Sequence, residues 1–230
     1  LEQQFPHEVC EAVTGQMAVL PTWPATKILW LQKNRPAIYG AADTYMLLKD
    51  YVVYYLTGEK KSDMSIATFS FYFDIYKKCY WTEMLDAIGV KLSQLTELVE
   101  PCSVAGTLLP GLVTGLEPGT AVNVGTLDHF AGMIGAGNIL PGGVTLSTGT
   151  VMAMTVMADE SMAHNTGIAM HYGFLPDTHV MLPVVESGGV SLEWFRRACM
   201  KNVTYDEMNR MLAKRAPNEL LFLPYMVGTN

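Results

Sequence analysis

Long apolar runs are what this 230-residue chain most plainly lacks. Gly, Pro or a charged residue interrupts its longest apolar stretches well before the roughly 18 residues that a membrane-spanning helix needs, and no signal peptide is recognisable. The expectation is a soluble, cytoplasmic protein with no membrane partner. Positive charge is also short: 15 Lys and Arg stand against 22 Asp and Glu, a net charge of −7, so no basic patch could offset that field around nucleic acid. Cysteine is rarer still. The four present, Cys10, Cys79, Cys102 and Cys199, lie far apart without CxxC spacing or Cys/His pairing, which favours free buried thiols over a zinc site or a disulfide framework. What remains is a globular composition, half apolar and 16% charged, with 15 methionines that suit adaptable packing.

The pattern along the chain falls into three parts. Residues 1 to 100 read as largely helical, with Tyr45, Leu48, Tyr51 and Val52 at helical spacing and Trp81, Met84, Leu85 and Ile88 repeating it before Gly89 stops the helix. Residues 101 to 140 hold short strands, turns at Pro110-Gly111 and Pro118-Gly119, and the element that carries Asp128. From about residue 141 the sequence turns to a hairpin-rich sheet (VTLSTGTVMAMTVMA, GIAMHYGFL, HVMLPVVES), followed by a helix from Ser191 to about Met200.

Residues 121 to 152 carry the most chemistry. A β-branched run stops at Gly125, delivers one carboxylate at Asp128 and enters a small-residue helix; a second run ends in Ser147-Thr148-Gly149-Thr150. A carboxylate at one strand end and a Gly-Thr turn at another suits phosphoryl transfer to a hydroxyl, where catalysis is mostly positioning plus one base. Each half also has a plain reading. Asp opening a helix caps it or complements its dipole, and Ser-Thr-Gly-Thr makes an ordinary turn.

Several segments resemble the FGGY carbohydrate kinases. TWPATKILWLQKN (Thr22 to Asn34) is similar to the family's first signature, at Pro24, Lys27, Ile28, Trp30, Leu31, Lys33 and Asn34. ADTYMLLKDYVVYYLTG (Ala42 to Gly58), SDMSIATFSFYFD (Ser62 to Asp74), GTLDHFAGMIGAG (Gly125 to Gly137), the STGT turn, ESGGVSLEWFRR (Glu186 to Arg197) and LLFLPYMVGTN (Leu220 to Asn230) resemble later family segments in order. The resemblance implies an α/β, actin-like and ribonuclease-H-like ATPase fold with two domains facing a cleft. Residues 1–140 would be the later part of the sugar-binding domain, and residues 141–230 the first part of the ATP-binding domain. It further implies an internal fragment, without the family's N-terminal Asp-Gly-x-Thr turn and C-terminal adenosine segment, and therefore inactive alone.

The implied activity is transfer of phosphate from MgATP to a sugar or polyol hydroxyl. Leu-Asp-His-Phe-Ala-Gly looks closer to xylulokinase-like members, which makes a ketopentose such as xylulose the expected substrate. By that resemblance Asp128 is the general base, His129, Thr22 and Trp23 contact the sugar, and Thr148, Gly149 and Thr150 hold phosphate. The family often has Gly-Thr-Ser where this chain reads Gly-Thr-Val, a loss of one hydroxyl. ATP and Mg²⁺ are the implied cofactors, with no protein ligand of the metal assigned. His129 has the alternative of a structural hydrogen-bonder, and Lys27 reads either as a cleft cation or, the commoner fate, as a snorkelling surface lysine. Trp30, Trp81 and Trp194 are expected as core anchors, and Tyr51, Tyr54 and Tyr55 as packing or an interface, so that a homodimer is an open expectation. The competing function is a catalytically silent actin-like module that binds nucleotide or a partner.

Overall fold

The structure, a computed structural model, describes residues 1–112, 115–158 and 167–226. The chain divides into two compact units: Leu1–Val144 with Thr155–Leu182, and Thr145–Met154 with Pro183–Asn230. This division differs from the boundary expected near residue 140, because residues 155–182 belong with the first unit. The reason is packing: Met157, Ala158, Met170, Tyr172 and Val180 are buried in clusters with Met64, Phe73, Ile75, Phe130 and Met133.

The first half of the first unit is mostly helical, as the periodicity predicts: α1 (His7–Thr14), α2 (Pro24–Asn34), α3 (Pro36–Ala41) and α4 (Leu48–Thr57) come before any strand. Then β1 (Lys61–Asp63) leads into the short α5 (Met64–Ala67), and β2 (Phe73–Asp74) pairs antiparallel with β3 (Cys79–Tyr80). α6 (Thr82–Ile88) follows and ends at Gly89 in the left-handed region, φ 68°. β1 runs parallel to β4 (Glu97–Val99) with Lys61 opposite Glu97, and β5 (Val104–Thr107) pairs antiparallel with β6 (Ala121–Asn123). The irregular stretch 124–127 follows β6, after which α7 (Asp128–Gly135) begins.

Strands β9 (Met170–Tyr172) and β10 (His179–Met181) pair with each other, and β10 also pairs with residues 156–158 of β8 (Met152–Ala158). The two ends of the unit's chain meet at Gly15. Its carbonyl accepts the Met170 N–H at 2.8 Å, its φ is +69°, and a Cβ there would lie 2.3 Å from the Met170 carbonyl oxygen, so glycine is required.

The second unit takes β7 (Val144–Thr148), paired with β8, and the short β11 (Val184–Val185), which pairs with residues 152 and 153 of β8. α8 (Gly189–Cys199) and α9 (Tyr205–Leu212) follow. Thr204 caps α9: its Oγ1 accepts the Glu207 N–H at 3.2 Å while Glu207 Oε2 accepts the Thr204 N–H at 2.7 Å, a reciprocal capping box. Val227 to Asn230, the end of the last resembling segment, lies outside the described residues.

Leu48, Tyr51 and Val52 of α4 face outward, and the buried positions are Asp50, Val53 and Thr57, so the helix is turned with its apolar stripe to the surface. Two expectations about burial are corrected. Trp81 is a core anchor, but Trp30 is 54% and Trp194 46% exposed; Arg35 lies over the Trp30 ring at 5.8 Å. Cys10 is the buried thiol, whereas Cys79, Cys102 and Cys199 are exposed.

Candidate active site

The first unit contains a cavity of about 780 Å³ lined by twelve residues drawn from four stretches of sequence: 22–24, 47–52, 66–69 and 126–128. Thr22, Trp23 and Asp128 all lie on it, so three of the four residues expected in catalysis or sugar contact are brought together. Each is placed by local structure. Pro24 opens α2 at a position where its missing N–H costs nothing. Thr26 Oγ1 ties the approach to that helix by donating to Leu20 O, and Trp23 Nε1 donates to Ala18 O at 3.0 Å. One face of the Trp23 ring is taken by Phe71, stacked at 5.8 Å with the planes 16° apart. Trp23 is thus both core and wall.

Asp128 is the first residue of α7 and is exposed. The helix N-terminus favours its negative charge. Its Oδ1 accepts the His129 N–H at 2.7 Å, and among the described residues Oδ2 has no partner, so one carboxylate oxygen remains for a ligand. His129 is half-buried and does not line the cavity. It lies close enough to the buried His171 to disfavour a second positive charge there.

Apolar groups make most of the wall: Pro24, Leu47, Leu48, Val52, Ile66, Phe69 and Leu127 join Trp23, and among the described residues Lys49 is its one cation. Lys49 was not singled out by the sequence. Its Nζ lies 2.6 Å from Asp63 Oδ2 and 3.3 Å from Asp50 Oδ1, and it donates to Val124 O at 2.9 Å. Both carboxylates are buried, and burial raises the Asp50 pKa while Lys49 and a hydrogen bond from Ser62 oppose the rise. The available signal was the Lys-Asp pair inside an apolar helix together with an Asp-x-Ser segment able to cap the next one. Lys27, by contrast, is exposed on α2 and is not among the cavity residues.

Behind Phe69 sits His171, 2% exposed. The two rings stack at 4.4 Å with the planes 9° apart, and Gln16 Nε2 lies 3.2 Å from His171 Nδ1. Burial, with the field of His129, pushes the His171 pKa down to about 3, so the ring is neutral near pH 7.

Thr148, Gly149 and Thr150 belong to the second unit. The turn is closed by the Gly149 N–H, which donates to Val151 O at 2.9 Å, and by Gly189 N–H donating to Gly149 O at 2.8 Å. A Cβ on Gly189 would stand 2.5 Å from Gly149 O, so the start of α8 packs directly on this turn. The Gly149 amide, expected to face a phosphate, is therefore engaged inside the turn.

The family model described as "FGGY family of carbohydrate kinases, N-terminal domain" matches residues 1–135. Among curated proteins, the xylulose kinase of Escherichia coli (strain K12) is 29% identical over 99% of this chain and 47% of its own length. That of Bacillus subtilis (strain 168) is 28% identical over 91% of this chain and 43% of its own. The chain thus spans about half the length of the curated relatives it matches. Among solved structures, a kinase from Brucella ovis titled as a xyloylose kinase superposes with a TM-score of 0.85 at 28% identity, covering 98% of this chain and 47% of that one. Xylulose kinase from Rhodospirillum rubrum superposes with a TM-score of 0.90 at 22% identity, over 99% of this chain and 48% of that one. Plasmodium falciparum glycerol kinase with ADP gives 0.83 at 18%, over 93% and 44%. The last two show the fold, which is actin-like and ribonuclease-H-like.

Proposed function

The chain belongs to the FGGY family of carbohydrate kinases, and on that footing we propose that the full-length protein transfers the γ-phosphoryl group of MgATP to a hydroxyl of a sugar or polyol. The observation that carries the reading is the single cavity that gathers Thr22, Trp23 and Asp128 from segments about a hundred residues apart. Its walls suit a small polyhydroxylated substrate: apolar faces to lie against carbon, and Thr22, Thr126 and Asp128 to meet hydroxyls. In the transfer, the hydroxyl oxygen forms a bond to the γ-phosphorus, the bond from that phosphorus to the β-phosphate oxygen breaks, and the hydroxyl proton passes to Asp128. A ketopentose is the preferred substrate, supported by the similarity to xylulose kinases.

Magnesium enters with the nucleotide phosphates, and the turn at Thr148, Gly149 and Thr150 is assigned to the nucleotide side. His129 is assigned to orienting Asp128 through its backbone N–H rather than to lining the cavity. The 230-residue chain alone is proposed not to turn over. The full-length protein with Asp128→Asn is expected to lose about 10²- to 10⁴-fold in kcat while still binding the sugar, because Asn keeps the shape and cannot take a proton. A coupled ADP-release assay with D-xylulose and MgATP measures this, and an unchanged kcat would overturn the assignment. One observation favours the alternative of a silent nucleotide- or partner-binding module: the Gly149 amide is already bonded to Val151 O. Saturable MgATP binding without ADP release on any of a panel of pentuloses, hexuloses and polyols would establish it.

A further inference from the structure

Asp128 is delivered by a loop, Val124 to Leu127, that has little regular structure of its own. Hydrogen bonds from elsewhere hold it: the Val124 N–H donates to Ser103 O and the Cys102 N–H donates to Gly125 O, each at 2.8 Å, and three more come from Lys49 and Ser65. Lys49 Nζ donates to Val124 O at 2.9 Å, Ser65 Oγ accepts the Leu127 N–H at 3.2 Å, and Ser65 Oγ lies 2.8 Å from Thr126 Oγ1. The proton directions are fixed by what lies beyond. Ser65 Oγ–H points to Asp63 Oδ1, which as a carboxylate only accepts, so the serine oxygen must accept from both Leu127 and Thr126. Asp63 Oδ1 also accepts the N–H groups of Ser65 at 3.0 Å and Ile66 at 3.2 Å, and its other oxygen meets Lys49 at 2.6 Å.

Asp63 and Ser65 are both fully buried. A buried carboxylate that is ion-paired and multiply hydrogen-bonded has one arrangement, so whatever hangs on it inherits a fixed position. Lys49 touches both ends of this frame, the Asp63 carboxylate and the Val124 carbonyl. It also lines the cavity.

We propose that Lys49, Asp63 and Ser65 form a positioning frame that sets where the Asp128 carboxylate stands relative to the acceptor hydroxyl, acting through the backbone of residues 124–127 and not by contact with the reacting atoms. The proposal rests on the reading of Asp128 as the general base. It gives the Asp-x-Ser segment and the lysine of α4 one shared purpose that the fold alone does not demand, since α5 could be capped by Asp63 without Ser65 reaching across to residues 126 and 127. Displacing a catalytic group by about 1 Å costs on the order of 10²-fold in rate, so loosening the loop should show in kcat well before it shows in sugar binding.

Two measurements separate this proposal from the one beneath it. Amide hydrogen exchange on the 230-residue chain reads the Leu127 N–H directly, and steady-state kinetics on the full-length protein reads kcat and KM for D-xylulose. Ser65→Ala is expected to speed Leu127 exchange about tenfold or more and to lower kcat by about 10- to 100-fold with KM nearly unchanged. Lys49→Met should do the same to kcat, and Lys49→Arg should recover part of that loss. Should Lys49→Met fail to fold because it strands Asp63 unpaired, Ser65→Ala, which leaves the Asp63 ion pair intact, still decides the matter. Unchanged kcat in Ser65→Ala alongside accelerated exchange would overturn the positioning role, as would unchanged exchange. Should Asp128→Asn keep wild-type kcat, it is the base assignment that falls, and the exchange result still reports whether the frame holds the loop.

Discussion

Phe73 and Phe222 carry the same side chain to opposite ends: the first is wholly buried among Met64, Ile75, Met170 and Tyr172, the second is 62% exposed. The contrast extends to the two units. The first distributes its apolar side chains over four buried clusters, whereas Met208 is the one large apolar side chain of the second that is buried among the described residues. Leu220, Leu221 and Leu223 are also mostly in solvent. Their charges differ in the same way. Lys49 and Asp63 meet below the surface, while Glu193 gathers Arg196, Arg197 and the Tyr205 hydroxyl on an exposed helix. Since apolar burial is the main source of stability, the first unit should carry nearly all of it and the second should open first.

The sharpest way to break this comparison is truncation in each unit. Phe73→Ala is expected to cost about 3–5 kcal/mol by transfer and cavity terms together, and Phe222→Ala to stay within about 0.5 kcal/mol. Urea denaturation of the two variants measures both; equal losses would mean that the second unit contributes as much as the first.

A smaller effect isolates one buried group. His171 has a folded pKa of about 3 against an ordinary 6.5, so the unfolded chain binds its proton more readily. Its contribution is fully present above 6.5 and is lost as the pH falls toward 3. Between pH 7 and pH 5 that loss is about 2 kcal/mol. His171→Gln should remove this part of the slope. Comparing the two proteins cancels Asp50, whose raised pKa works in the opposite direction. A wild-type slope that survives the substitution would show that His171 is not the group responsible.

The smallest effect belongs to the surface. The Glu193 carboxyl is held well below its usual range by Arg196, then by the Tyr205 hydroxyl and Arg197, but Glu193 and Arg196 are only half-buried and Arg197 is exposed, so salt screens the cluster. Arg197→Ala should shift the melting temperature slightly at low salt and not at all in 1 M NaCl. A salt-independent shift would place that cluster with the buried charges of the first unit.

Much of this was legible in the sequence. Asp128 declared itself by standing where a β-branched run gives way to small helical residues, and α6 by its apolar spacing and its stop at Gly89. The helical spacing of α4 was legible, but which of its faces is buried was not, because apolar periodicity does not show what covers the stripe. Here Asp50 is buried against Lys49, and Leu48 and Val52 line a cavity instead. Lys49, Ser65 and Phe69 were missed for a related reason: their roles come from partners 10 to 100 residues away, and no local pattern encodes a meeting of residues 49, 63 and 124. The placement of residues 155–182 was equally hidden, since a strand's own alternation does not say which helices it will cover.

The clasp at Gly15 bears on how such a chain is made. Gly15 and Gln16 bond to Met170, and Gln16 to His171, so the first helix cannot reach its final setting until residue 171 has been synthesised. On a ribosome adding about 5–20 residues per second, that leaves the early helices waiting many seconds with an unfinished neighbour. The closure itself spans a loop of more than 150 residues, a long-range contact of the kind that slows folding more than it weakens the folded state.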